Sequence, residues 1–267
     1  MADQCLVRYL YLIAYIPFIC YNIDIMSSHE NGNYDWLYTK AARASLGDEY
    51  LMRPLIGRDD KIGGGVYYGT YSGEAIVIDP EKYPAQYERY YKKAVSRATS
   101  DGHVSRSRIL ASVYETVHSE MAYSQEGVDQ ILANFANKDG LADFPDGEKV
   151  ELSAFMSKGV GVCRHQALAC AILLERFKEE GYIRGDISVD RSSRWDPKDG
   201  KADGHAWVRY IANNGQIMIL DVAQDYIGRI EDTDPAAHWN YMRPDEQRRS
   251  QEIMGKLGVE TPEGLLG

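Results

Sequence analysis

The chain has 267 residues, with 30 Lys and Arg against 40 Asp and Glu, for a formal charge of −10. Nucleic-acid affinity comes largely from clustered basic side chains, so this balance argues against a DNA or RNA partner. The four cysteines, Cys5, Cys20, Cys163 and Cys170, are too few and too unevenly spaced for a disulfide framework, and free thiols in a reducing, cytoplasmic setting are the expectation.

In chain order, residues 1–60 form an N-terminal segment whose stretch from Tyr9 to Ile23 is apolar apart from Asn22. That stretch is shorter than the ~20 residues of a spanning helix and contains Pro17. A buried element, an uncleaved anchor and an export signal all stay open for it, so membrane association is uncertain. Residues 61–103 read as a hairpin and a helix leading into the core: Val66 to Tyr71 and Ala75 to Ile78 flank a Ser72-Gly73 turn. Helical patterns follow at about Tyr83 to Thr99, Val104 to Met121 and Glu126 to Asn137. In the second, Ile109, Val113, Thr116 and Val117 make one apolar stripe. Tyr87, Tyr90, Tyr91, Tyr114 and Tyr123 read as packing aromatics rather than a ligand box.

Residues 104–228 carry the chemistry. Gly159-Val160-Gly161-Val162 opens a helix from Cys163 to Glu180, rich in Ala, Leu and Glu and followed by Gly181. Cys163 then sits in the first turn, where unpaired N–H groups and the helix dipole favour a thiolate and can receive an oxyanion. Cys170, two turns on among Ala and Leu, reads as core. Two residues apart on a helix, Cys163 and His165 face nearly opposite ways, and no metal-ligand set emerges.

Two later strands supply the partners. His205 to Ile211 and Gln216 to Val222 flank Asn213-Asn214-Gly215, and the length of that turn decides whether polar groups meet. A two-residue loop at Asn214-Gly215 sets Asp221 opposite Val208, on the other face from His205. A three-residue loop with Gly215 left-handed pairs Ala212 with Gln216 and Trp207 with Asp221, making His205 and Asp221 diagonal neighbours about 7 Å apart at Cβ. Asp221 would then hold the His205 ring while its other nitrogen takes the Cys163 proton. Asp203 and Asp225 are rivals for Asp221. The polar stretch Arg191 to Gly204 reads as a loop, either a solvated connection or a rim that selects substrate.

The segments Gly161-Val162-Cys163-Arg164-His165-Gln166-Ala167, Gly204-His205-Ala206-Trp207-Val208 and Ile219-Leu220-Asp221 resemble the cysteine, histidine and aspartate motifs of the transglutaminase-like superfamily of papain-related folds. The Cys-Arg-His portion is also similar to the peptidase-like domain found beside some plant kinases. The resemblance covers mainly Val104 to Gly228. It implies an α+β fold, a papain/transglutaminase-like core in which the cysteine helix packs on an antiparallel β-sheet. It further implies Cys163 as nucleophile, His205 as general base and acid, Asp221 as orienting carboxylate, and thioester chemistry on glutamine side chains or peptide bonds without a cofactor. No calcium-binding loop stands out. A side chain completing the oxyanion hole is not assigned; Tyr123 and Gln125 fit packing or solvent exposure better. The expectation is a cysteine-dependent hydrolase of protein or peptide amides, a protease or glutamine deamidase. Transamidation to an amine and an inert peptide-binding domain are the alternatives. Residues 229–267 read as a C-terminal helix, starting near Arg243-Pro244-Asp245-Glu246, and a mobile tail from Glu260.

Overall fold

The structure is a computed structural model that describes residues 49–50, 53–69, 74–139, 149–196, 201–233 and 241–256. The apolar stretch at 9–23, the turn at Ser72-Gly73 and the tail from Glu260 lie outside the described residues. The fold mixes helices with several sheets.

The expected hairpin is present as β1 (Val66–Gly69) and β2 (Glu74–Val77), paired antiparallel. Strand β3 (Lys149–Glu151), which the sequence pattern did not suggest, adds to β2 in parallel. The three helical patterns become α1 (Pro84–Ala98), α2 (Ile109–Glu120) and α3 (Gln125–Asp139). Helix α2 starts later than Val104 because Thr99–Ser100 and His103–Val104 pair across a tight turn, with Asp101 and Gly102 both at positive φ (52° and 78°). An Asp-Gly pair suits that left-handed geometry. Tyr87, Tyr90 and Tyr91 are buried on α1 and reach Glu151, the Glu120 and Met156 carbonyls, and Glu180 through their hydroxyls. Tyr114 stacks on His118. Tyr123 departs from the packing expectation, being 60% exposed.

A short helix, α4 (Leu152–Lys158), precedes the cysteine turn and ends on Gly159 at φ +68°, the left-handed cap that favours glycine. Helix α5 (Cys163–Glu179) then runs through the core. Its Ala167, Leu168, Ala169, Ala171, Leu173, Leu174 and Phe177 are all buried, as in a helix apolar around most of its circumference. It packs against α2 on one side and a four-stranded sheet on the other.

That sheet is an antiparallel meander of β4 (Gly185–Asp196), β5 (Lys201–Ala212), β6 (Ile217–Asp221) and β7 (Tyr226–Arg229). The Arg191–Gly204 loop expectation is corrected here: β4 and β5 pair as far as Asp196↔Lys201, so His205 lies within a strand rather than at its start. The polar stretch has no apolar alternation to announce a strand. Its backbone ladder continues from the buried Val189↔Val208 region outward. Ala206, Val208 and Tyr210 face α5, whereas Trp207 and Ile219 cluster with Ile230 and Tyr241 on the opposite face. Helix α6 (Pro244–Lys256), starting where the Arg-Pro-Asp-Glu pattern suggested, belongs to the segment that covers this second face.

Among the described residues no helix is long and apolar enough to cross a membrane.

Candidate active site

The β5–β6 turn decides the geometry, and it takes the three-residue form. Ala212 N–H donates to Gln216 O at 2.9 Å, Gly215 N–H donates to Ala212 O at 2.8 Å, and Gly215 sits at φ +82°. The ladder then runs from Ile211↔Ile217 to Val208↔Leu220. One step further along this register sets Trp207 opposite Asp221, so His205 and Asp221 occupy one face. The His205 Nε2–H donates to Asp221 Oδ2 at 2.5 Å.

The same register explains where the cysteine fits. Since Ala212 bonds to β6, the even-numbered residues of β5 direct their N–H and C=O groups toward β6. Strand β6 ends at Asp221 and swings into a 3₁₀ turn, Val222–Gln224. Gly204 C=O and Ala206 N–H therefore extend past the end of the β5–β6 ladder, and Cys163 occupies that position. Its Sγ lies 3.8 Å from Gly204 O, and Ala206 N–H donates to it. With Nε2 on Asp221, the His205 Nδ1 is the nitrogen left for the Cys163 sulfur, and the two side chains are hydrogen-bond partners.

The electrostatics follow from that chain of contacts. Burial alone pushes the Cys163 thiol up, but the hydrogen bond and positive charge of His205, the Ala206 N–H and the Arg164 charge outweigh it. The net result is a thiol below its ordinary range. Burial pushes the His205 imidazolium down, and the hydrogen bonds and charges of Asp221 and Cys163 more than reverse this, raising it to about 9. Cys170 is fully enclosed, and burial drives its thiol far up. Of the two described cysteines, Cys163 is the one whose surroundings favour a thiolate beside an imidazolium.

Asp221 is 1% exposed and held by more than the histidine. Its Oδ1 accepts from Gln224 N–H at 3.1 Å, and its Oδ2 also accepts from the Tyr241 hydroxyl at 2.8 Å. Tyr241 is the site residue that sequence reasoning missed. It lies in a segment with no motif, and only its aromatic character hinted at packing.

The rival residues go elsewhere. Asp225 is exposed and pairs with His118 Nε2 at 2.9 Å. The backbone of Asp203 pairs with Arg194 in the β4–β5 ladder. His165 is fully buried, packs its ring 4.0 Å from that of Phe155, and accepts Val162 N–H on Nδ1 at 3.2 Å. It thus satisfies the backbone at the start of α5 and serves the fold. Gln125 donates to Asp129 at the surface.

The cysteine turn is itself anchored by the residues that follow α2. Ala122 N–H donates to Gly159 O and Ser124 N–H to Gly161 O, forming a short parallel pairing of Ala122–Tyr123 with Val160–Gly161. At Gly161 a Cβ would fall 2.8 Å from both His165 Cβ and Met121 Sδ, so only glycine lets the strand pass so close. Gly204, beside the sulfur, is exposed and a Cβ there would meet nothing within 4 Å. Cys163 itself is 7% exposed. Among the described residues no His, Cys, Asp and Glu group is placed to hold a metal ion. The chain matches no protein-family model and no curated protein.

Proposed function

We propose that the protein is a cysteine-dependent hydrolase of protein or peptide amides, with Cys163 as nucleophile, His205 as general acid and base, and Asp221 as the carboxylate that orients the ring. The observation that carries this reading is the continuous hydrogen-bonded series from Cys163 at a helix start through His205 to Asp221, on three separate elements. The resemblance of the three motifs to the transglutaminase-like, papain-related superfamily supports the same assignment.

In this mechanism the Cys163 thiolate attacks the amide carbonyl carbon, forming the C–S bond and pushing the carbonyl electrons onto oxygen. The oxyanion is received by N–H groups of the first turn of α5, in the positive end of the helix dipole. His205 gives its Nδ1 proton to the departing nitrogen, the C–N bond breaks, and a thioester remains on Cys163. Water then attacks the thioester as His205 takes a proton from it, and C–S cleavage returns the thiolate and a carboxylic acid. Asp221 fixes the Nε2–H of the ring and stabilises the imidazolium throughout.

The test is mass spectrometry of a glutamine-containing peptide pool incubated with the wild-type chain, with and without a primary amine. Cleaved or deamidated peptides that disappear with Cys163→Ala are expected. Amine incorporation in place of water would make the protein a transamidase. An unchanged pool under all conditions contradicts catalysis and favours a peptide-binding domain of this fold.

A further inference from the structure

The carboxylate of Asp221 has two hydrogen-bond donors on one oxygen. His205 Nε2–H and the Tyr241 hydroxyl both reach Oδ2, at 2.5 and 2.8 Å. Tyr241 arrives from outside the sheet, in the segment that leads into α6, and the surrounding contacts fix it there. Its ring lies edge-on to Trp207 at 5.2 Å and stacks on Tyr226 at 5.8 Å. Its carbonyl accepts from Arg209 Nη1 at 3.2 Å, and Arg209, fully buried, also pairs with Glu246 of α6. Two residues on, Arg243 donates from Nε and Nη2 to the two oxygens of buried Asp190, and to Ser188, on the same sheet face.

We propose that Tyr241 is a positioning residue that sets how strongly Asp221 accepts from the His205 ring and, through it, how tightly His205 holds its proton. The proposal rests on the thiol-hydrolase reading above, in which His205 must both keep and release a proton within one turnover. A carboxylate oxygen that accepts a second hydrogen bond is a weaker acceptor for the first. The Tyr241 hydroxyl therefore tempers the pull of Asp221 on the imidazolium, and it keeps the carboxylate turned with Oδ2 toward the ring. Removing only that hydroxyl leaves the buried carboxylate a stronger acceptor for the ring and the imidazolium harder to deprotonate. Strengthening the donor does the reverse.

The experiment is an NMR titration of the His205 imidazole in the full chain as wild type, Tyr241→Phe and Tyr241→3-fluorotyrosine, whose hydroxyl is the stronger donor. The Phe variant is expected to raise the His205 titration by about half a unit or more, and the fluorotyrosine variant to lower it. The alkaline limb of kcat/KM should move with each. Coincident titrations, or shifts of the opposite sign, overturn the proposal. A packing role alone would lower the melting temperature of Tyr241→Phe without moving the titration, which also overturns it. If Tyr241→Phe does not fold, the fluorotyrosine variant decides alone. Absence of wild-type turnover on the peptide pool would instead sink the hydrolase reading, and is read separately from the titrations.

Discussion

At Asp221 a single buried carboxylate accepts from a backbone N–H, a phenol and an imidazole, while Cys163 and His205 each depend on the other for their charge state. The pH dependence follows from the signs of those shifts. In the proposed mechanism activity needs the Cys163 thiolate, so it should rise as pH passes the lowered thiol pKa, below the ordinary ~8.5 of a free cysteine. It also needs the His205 proton, held above its usual range, so it falls as pH rises through about 9. A rate profile on the peptide pool between these limits should be bell-shaped. Asp221→Asn removes the charge that raises His205, so the alkaline limb should move to lower pH and turnover should drop about 10³- to 10⁴-fold. A profile that keeps its alkaline limb near the wild-type position would show that Asp221 does not act through the ring.

Whether Asp221 faces His205 is settled by the β5–β6 turn, an element rather than a residue. Deleting Asn214 leaves Asn213-Gly215 between Ala212 and Gln216, a pair suited to a two-residue type I′ turn, so the register and the turnover should survive. Deleting Gln216 keeps the three-residue turn but shifts β6 by one position, sending Asp221 to the α5 face along with Ile217 and Ile219. That variant should lose turnover by about 10²-fold or more, in line with loss of a catalytic partner, and lose stability as well. Equal activity in both deletions would contradict the register argument. The turn was legible as two alternatives because Asn-Asn-Gly between two apolar runs allows few geometries, each setting Asp221 on a definite face, and the hydrogen bonds of the folded turn choose the three-residue form. The cysteine helix was legible for a similar reason, since glycines before Cys163 and Gly181 after Glu180 bracket an Ala- and Leu-rich run. The outer half of the β4–β5 ribbon was not, because its polar residues carry no period-two apolar signal and their pairing depends on a ladder begun in the core. The Asp101-Gly102 hairpin was hidden inside a stretch whose helical periodicity begins only at Ile109.

Across the whole molecule the C-terminal segment ties distant elements to the site. Arg243 links Asp190 and Ser188 on β4 with Asp59 near the start of the described chain, while Arg209 on β5 holds the Tyr241 carbonyl and Glu246. None of this could be read from sequence, because ion pairs between residues 53 and 184 positions apart leave no local pattern. A buried pair costs most when only one partner is removed, since the other is left as an uncompensated charge. Arg243→Ala leaves the 2%-exposed Asp190 with the Ser188 hydroxyl and the more distant Arg209 guanidinium at 3.8 Å, so it should lower stability by about 3 kcal/mol in urea unfolding, the low end for a broken buried pair. A loss under about 1 kcal/mol would show that the C-terminal segment is only loosely held.

An activated thiolate at Cys163 shows itself in the rate at which iodoacetamide modifies each cysteine of the native protein as pH is varied, read by peptide mass. Cys163 should react far faster than the enclosed Cys170 at neutral pH, with a rate that has already risen below the titration of a free thiol and that falls toward ordinary thiol behaviour in His205→Ala. Equal, slow modification of Cys163 and Cys170, with a wild-type profile that superimposes on His205→Ala, would contradict it.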